Sequence, residues 1–416
     1  MITSINKKII VFLVILLAAG ATATADPLSS FEHPFNPALM SAGNRFILEV
    51  GANGDFGVSN NYFALQDIFT EHIEINLDDM YENMSEKGLR FSTSNTAAGH
   101  GLVSLFGLSF GGYATIDNIA SANVPGAAIE LLAKGNTMGE PIEGQTDIYG
   151  RVFADAGMYG GFKWGNLQFG LKLGQYAPIF YTDKEAKVTY NLTTDNEAGT
   201  MTASADVNIP VYSIFDLSNM ESIDPNTVLE EFSGTKADFG VMYMKGRKPM
   251  MGVHLNGITL NPAVVKNKST MSITADVTVN NLADNYDSEE KFSNNVSEFT
   301  TVNEKVEQEI SMPLRLGGFY RQPIPLVDLI ARGELTFEKE DIKTSVGLAA
   351  EGNFWPLSWF SLGIGYNRVL WESFVGARIN LYLMEVGVDI GMSSPDFTSM
   401  FSTTGVSASM YMAMGF

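Results

Sequence analysis

The chain closes on a strict alternation. Read back from Phe416, every second residue is apolar: Met414, Met412, Met410, Ala408 and Val406. Between them lie Gly415, Ala413, Tyr411, Ser409 and Ser407. A period of two describes a strand with one greasy face and one small or polar face. At the end of a chain, such a strand makes a poor edge towards water. It is stable where the greasy face meets hydrocarbon and the strand closes a barrel, because lipid tolerates no open sheet edge.

The same period runs through the C-terminal third. Val327, Leu329, Ala331, Leu335 and Phe337 alternate with Asp328, Arg332, Glu334 and Thr336, with Ile330 as an exception. Ile342, Val346 and Leu348 alternate with Lys343, Ser345 and Gly347, and three further rows follow through Phe360, Val375 and Met384. Each run is about 10 residues, which at a tilt near 40° spans roughly the 25 Å apolar band of an outer membrane. Phe354-Trp355-Pro356 and Asn367-Arg368 read as tight connections. Upstream, Val152 to Phe162 and Leu167 to Gly174 alternate too, and Lys187–Asn191, Thr202–Val211, Ala237–Met244, Met250–Ile258 and Met271–Val279 are strand candidates. The expectation is an all-β fold: a closed antiparallel transmembrane β-barrel of about 14 strands (12–16), with an N-terminal plug and one or two short helices. Helical spacing occurs at Ile73–Leu89 and Pro125–Lys134. The acidic stretch Leu282–Glu309 is expected to be a long extracellular loop, in part helical.

The N-terminus agrees with export. Lys7 and Lys8 precede an apolar run, Ile9 to Ala19, that is too short for a spanning helix of about 20 residues. Ala23-Thr24-Ala25 then fits a cleavage box. Residues 1–25 are therefore read as a signal peptide, 26–45 as a plug segment and 46–416 as the barrel, in the outer membrane. The formal charge is 26 − 47 = −21, which argues against a nucleic-acid partner. Zero cysteine removes disulfides and thiolate chemistry.

In the period-two rows the charges fall on the face opposite the apolar one. Arg151, Asp155, Lys172, Asp328, Arg332, Glu334, Lys343, Glu351, Arg378, Glu385 and Asp389 are expected to face the lumen, since a charge in lipid costs a few kcal/mol. Such a lumen reads equally well as a hydrated path or as a sealed, charge-neutralised interior. No catalytic constellation stands out. His33, His72, His100 and His254 lack ligand spacing, so no metal site is expected. Gly107-Leu108-Ser109-Phe110-Gly111 matches the nucleophile-elbow pattern only formally, within an alternating strand. Asp284 to Glu290 lacks the residue order of a calcium loop. Neither a catalytic residue nor a cofactor is expected.

Phe31-Glu32-His33-Pro34-Phe35-Asn36-Pro37-Ala38-Leu39-Met40 suits an ordered, irregular plug. Its box Asn36, Pro37, Ala38, Leu39 resembles the N-terminal segment of the long-chain fatty acid transporter (FadL) family, which implies a hatch inside a 14-stranded barrel. The charged lumen departs from that family's hydrophobic chamber. Asn61 to Phe69, Leu131 to Asn136 and Ala237 to Gly240 resemble an uncharacterised family of exported outer-membrane barrels. Phe416 resembles the terminal aromatic residue that the barrel-assembly machinery reads, which makes that machinery and outer-membrane lipid the expected partners. The functional expectation is passive passage of a small-molecule or lipid substrate, hydrophobic ones included, gated by the hatch. Its rivals are a closed structural or surface-binding barrel and, ranked lower, a membrane enzyme that a Ser109→Ala control would expose.

Overall fold

A computed structural model describes residues 36–41, 47–64, 76–84, 88–127, 129–130, 142–182, 186–195, 200–215, 231–246, 248–279, 292–296, 300–338, 341–355, 358–367, 370–381, 383–401 and 404–415. The signal-peptide reading, the segments 65–69 and 131–136, and Phe416 lie outside the described residues. The strands are β1 (Leu48–Asn60), β2 (Leu89–Leu105), β3 (Leu108–Val124), β4 (Ile142–Trp164), β5 (Leu167–Thr182), β6 (Lys187–Asp195), β7 (Thr200–Ser213), β8 (Gly234–Lys245), β9 (Lys248–Asn261) and β10 (Ala263–Val279). They continue with β11 (Phe292–Val296), β12 (Thr300–Ile310), β13 (Leu314–Ile324), β14 (Val327–Glu338), β15 (Asp341–Trp355), β16 (Ser358–Asn367), β17 (Leu370–Asn380), β18 (Met384–Ser394) and β19 (Gly405–Gly415).

Antiparallel pairing runs from β1 through β2, β3, β4, β5, β8, β9 and β13, then in chain order to β19. β19 pairs back on β1, with Val50 opposite Met414 and Val58 opposite Val406. The circuit is therefore a closed barrel of 14 strands. Closure satisfies the backbone groups that two free edges would leave unpaired in lipid. Among the described residues no helix is long and apolar enough to cross a membrane; the crossing is made by strands.

The remaining strands form a rim. β6, β7, β10, β11 and β12 pair among themselves and onto the far ends of β4 (Ile142 opposite Leu192) and β5 (Tyr181 opposite Tyr212). Lys187–Asn191, Thr202–Val211 and Met271–Val279 are thus strands of this rim and not staves of the barrel. The described part of the acidic stretch is also strand, β11 and β12, where part-helical loop was expected. The segment is mostly polar, and pairing with β10 satisfies its backbone. Helix α1 (Leu77–Met84) is shorter than the spacing of Ile73–Leu89 suggested, because Leu89 already opens β2. Met80 and Met84 of α1 pack on Leu89 and Ile129. Tyr62 donates to Asp79 Oδ2 (2.8 Å), and burial followed by the Asp79 carboxylate pushes its phenol up to about 12.

The alternation predicted from sequence sorts inside from outside. Met410, Met414, Val375, Ile390, Leu362, Leu348, Leu329 and Met158 are exposed, whereas Tyr411, Ala413, Arg378, Glu351 and Asp155 are buried. The exception, Ile330, is buried against Ala349 and Phe374 in a small apolar cluster. A continuous apolar skin of this size suits lipid and would aggregate in water. Phe162 stacks on Phe169 (4.8 Å) at one end of the wall, and Tyr366, Trp371 and Phe397 cluster at the other, which suits two interfacial girdles.

Short hairpins mark the end at which β1 begins and β19 finishes. The β15–β16 connection after Trp355 lies there, whereas the β16–β17 connection after Asn367 lies at the opposite end. At the short-turn end Gly165 (φ 59°) and Gly246 (φ 69°) take the left-handed region that glycine favours. Leu326 does so too (φ 75°), after Pro325, where a type II turn calls for glycine. Leu326→Gly is expected to raise stability by about 0.5–1 kcal/mol through relief of that strain. Urea unfolding in liposomes checks it, and a lower midpoint would refute it.

Candidate functional site

Asn36 and the following 3-10 turn, Pro37–Ser41, lie inside the wall near the short-turn end. Asn36 donates through Nδ2 to the Val253 carbonyl (3.1 Å) and the Val241 carbonyl (3.4 Å), so it ties β9 and β8 together. Its Oδ1 accepts the Ala38 N–H (2.9 Å), which closes an Asx turn suited to the residue before proline. Ala38 and Leu39 pack against Met242, Met244 and Phe319.

The wall has been cleared for this box. A Cβ at Gly240 of β8 would collide with Asn36 Oδ1 and stand 2.9 Å from Pro37 Cδ. A Cβ at Gly170 of β5 would collide with the Pro37 carbonyl group, and one at Gly252 of β9 would stand 2.8 Å from Asn36 Nδ2. Gly170 and Gly240 are cross-strand partners, so the three glycines form one seat. The sequence carried the signal, since Gly170 and Gly240 sit at inward positions of alternating rows. Without the pairing, however, they read as ordinary twisted-strand glycines.

The charges expected to face the lumen fall into groups. Nearest the short-turn end, Arg321 meets Asp328 (3.3 Å) and Glu351 (3.3 Å), Arg378 meets Glu351 (3.2 Å), and Lys248 meets Asp328 (2.6 Å); Glu385 is buried close by. At mid-height Lys236 bridges Asp155 (2.8 Å) and Asp238 (3.1 Å), with Lys172 beside them. A third group crosses the lumen. Asp117 of β3 meets Arg315 of β13 (2.5 Å), and Arg151 of β4 meets Glu338 of β14 (2.6 Å). Glu338 also accepts from Tyr149 (2.9 Å) and lies 3.4 Å from Lys343 of β15. Along the wall β4 and β14 are separated by β5, β8, β9 and β13, so these contacts are chords and not neighbour pairs.

On either side of the chords lies a cavity. One is lined by Asp155, Lys172, Lys236, Asp238 and Arg315. The other contains Asp55, Arg332, Glu372 and Asp389, with Ser361 and Ser409 donating to Asp389 (3.2 and 2.9 Å). Asp117, Lys236, Asp238, Arg315, Arg321 and Glu338 were not singled out from sequence; sorting β3, β8 and β13 by period would have found most of them.

The two described histidines have lumenal partners. His100 Nε2 lies 3.0 Å from Glu49, and His254 Nε2 lies 3.0 Å from Glu334. His33 and His72 lie outside the described residues. Among the described residues no group of three His, Cys, Asp or Glu could hold a metal. Ser109 bonds Ser104 (2.8 Å) within the β2–β3 hairpin, a strand setting and not an elbow.

No family model matches the sequence, and no curated protein matches it. Its solved structural neighbours include transporters of the FadL type. The Pseudomonas putida toluene transporter TodX aligns over 92% of both chains with 8% identity and a TM-score of 0.45. The Ralstonia pickettii toluene transporter TbuX aligns over 92% of both chains with 11% identity and a TM-score of 0.40. A Pseudomonas aeruginosa FadL homologue aligns over 91% of both, with 8% identity and a TM-score of 0.38. At such values the likeness is one of general shape; the barrel itself rests on the strand pairing.

Proposed function

We propose that this protein is an outer-membrane channel for passive passage of a small molecule, closed at rest by its N-terminal hatch. The observation that carries the reading is the seat of Asn36–Leu39 on Gly170, Gly240 and Gly252. A polypeptide fitted into a cleared patch inside a barrel wall acts as an inner stopper, and its few side-chain bonds make it removable. A structural knot would need neither the lumen nor three aligned glycines. In this reading residues 1–25 direct export, residues 26–45 form the stopper, and lipid surrounds the wall.

Deleting residues 26–40 is expected to raise single-channel conductance in planar bilayers several-fold. Unchanged conductance would sink the proposal. The second reading, a sealed structural barrel, is supported by the chords through Asp117–Arg315 and Arg151–Glu338. It predicts no current from either protein, so the same bilayer experiment decides between the two.

A further inference from the structure

The cavity lined by Lys172 and Asp238 begins just beyond the seat of the hatch. Lys172 and Asp238 are cross-strand partners, one inward position beyond Gly170 and Gly240, which carry the Asn36-Pro37 box. A molecule in that chamber would rest on the stopper. Lys172 is only 9% exposed, yet among the described residues it makes no hydrogen bond or ion pair. Its one close contact is the face of Tyr113, 4.9 Å from Nζ to the ring centroid. The reason is visible in its partner. Asp238 gives one oxygen to Lys236 (3.1 Å) and the other to the Gly257 N–H (2.7 Å), where β9 bulges with φ 74°. Asp238 is thus shared with Lys236 and Gly257, and the buried Lys172 ammonium lines the cavity without an ion pair of its own. A buried cation whose neighbouring carboxylates, Asp155 and Asp238, both pair with another lysine is costly.

From this we propose that the chamber binds a small zwitterion, with free amino acids as the simplest class. The ligand carboxylate pairs with Lys172, and its ammonium turns to Asp155 of the adjoining strand β4, which lines the same cavity. The charged lining, Lys172, Lys236 and Arg315 against Asp117, Asp155 and Asp238, cancels. A ligand of zero net charge keeps that balance, whereas a simple anion or cation breaks it. The inference rests on the channel reading and names its substrate class; ligand pressing on the hatch would couple entry to opening.

The test is calorimetry on the full-length protein in detergent with L-alanine, propionate and n-propylamine. L-alanine is expected to give saturable heat, with propionate and n-propylamine weaker by about tenfold or more. Lys172→Met should abolish alanine binding and Lys172→Arg should retain it. Should Lys172→Met fail to fold, Thr115→Leu, which fills the chamber and removes no charge, must weaken alanine binding to the same end. No saturable heat with alanine, equal binding of propionate, or indifference to both variants overturns the assignment. If deletion of 26–40 still raises conductance in that case, the ligand class alone has failed. If alanine binds and the deletion changes nothing, the hatch reading alone has failed.

Discussion

Gly240→Val is expected to open the channel without opening the barrel. Valine is a good strand former, and Gly240 does not occupy the left-handed region, so the β5–β8–β9 pairing should survive. The added side chain would occupy the space of Asn36 Oδ1 and Pro37. Forcing a bulkier residue into a filled site costs about 1–3 kcal/mol. Expulsion of the box forfeits the two Asn36 bonds to β8 and β9, each worth about 1 kcal/mol net. Leu39 and Ala38 also lose their packing on Met242, Met244 and Phe319, so the variant tests whether the filled seat alone dislodges the box. Conductance should rise several-fold, to within about a factor of two of the 26–40 deletion. Gly112→Val is the control, because a Cβ there meets only ordinary contact, 3.6 Å from the Gly157 carbonyl. Native conductance in Gly240→Val would show that the box is not the stopper.

What the sequence disclosed follows from which forces are local. Inside and outside of a stave depend on a period of two, and that period is written in every row from Val327 to Met414. Closure was legible in the last strand: its apolar row, Met410 and Met414, is exposed, and β19 pairs back on β1. The separation of barrel from rim was not legible. Thr202–Val211 and Met271–Val279 alternate much as the staves do, and only the pairing of β7 with β10 places them beyond the wall. Pro37–Ser41 is a 3-10 turn, and that the Asn36–Leu39 box would be neither strand nor long helix was readable from its prolines. Its seat was not, because three glycines far apart in sequence meet only after β5, β8 and β9 align.

The chords across the lumen are the least local feature of all. Arg151 and Lys343 were both assigned to the lumen by period, but nothing in either row says that they share Glu338. That carboxylate ends β14, outside the tidy part of its row, and gathers partners from β4 and β15. Ion pairs between non-adjacent strands depend on barrel diameter and stagger, which no single strand encodes. The same reasoning explains why Lys172 was placed in the lumen from sequence while the loss of its partner was not. Asp238 is shared with Lys236 and with the Gly257 N–H at the β9 bulge, which no single row reveals.

Glu338→Ala should be the most destabilising single change in the lumen. Arg151 is 1% exposed, and its Nη1 sits 2.6 Å from Glu338; without that carboxylate its nearest anion is Asp117 at 3.8 Å. Tyr149 and Lys343 lose the same partner. Breaking a buried pair by removing one member costs about 3–5 kcal/mol, because the survivor stays desolvated and uncompensated. Removing both members costs far less, so Arg151→Met with Glu338→Ala should recover most of that loss. Urea titration of refolded protein in liposomes, followed by the shift between folded and unfolded bands on unheated gels, reads both values. The physical claim is that the chord is a buried, mutually dependent pair and not two independently solvated charges. A single-variant loss below about 1 kcal/mol, the range of exposed pairs, or a double variant no more stable than the sum of the two single losses, would refute it.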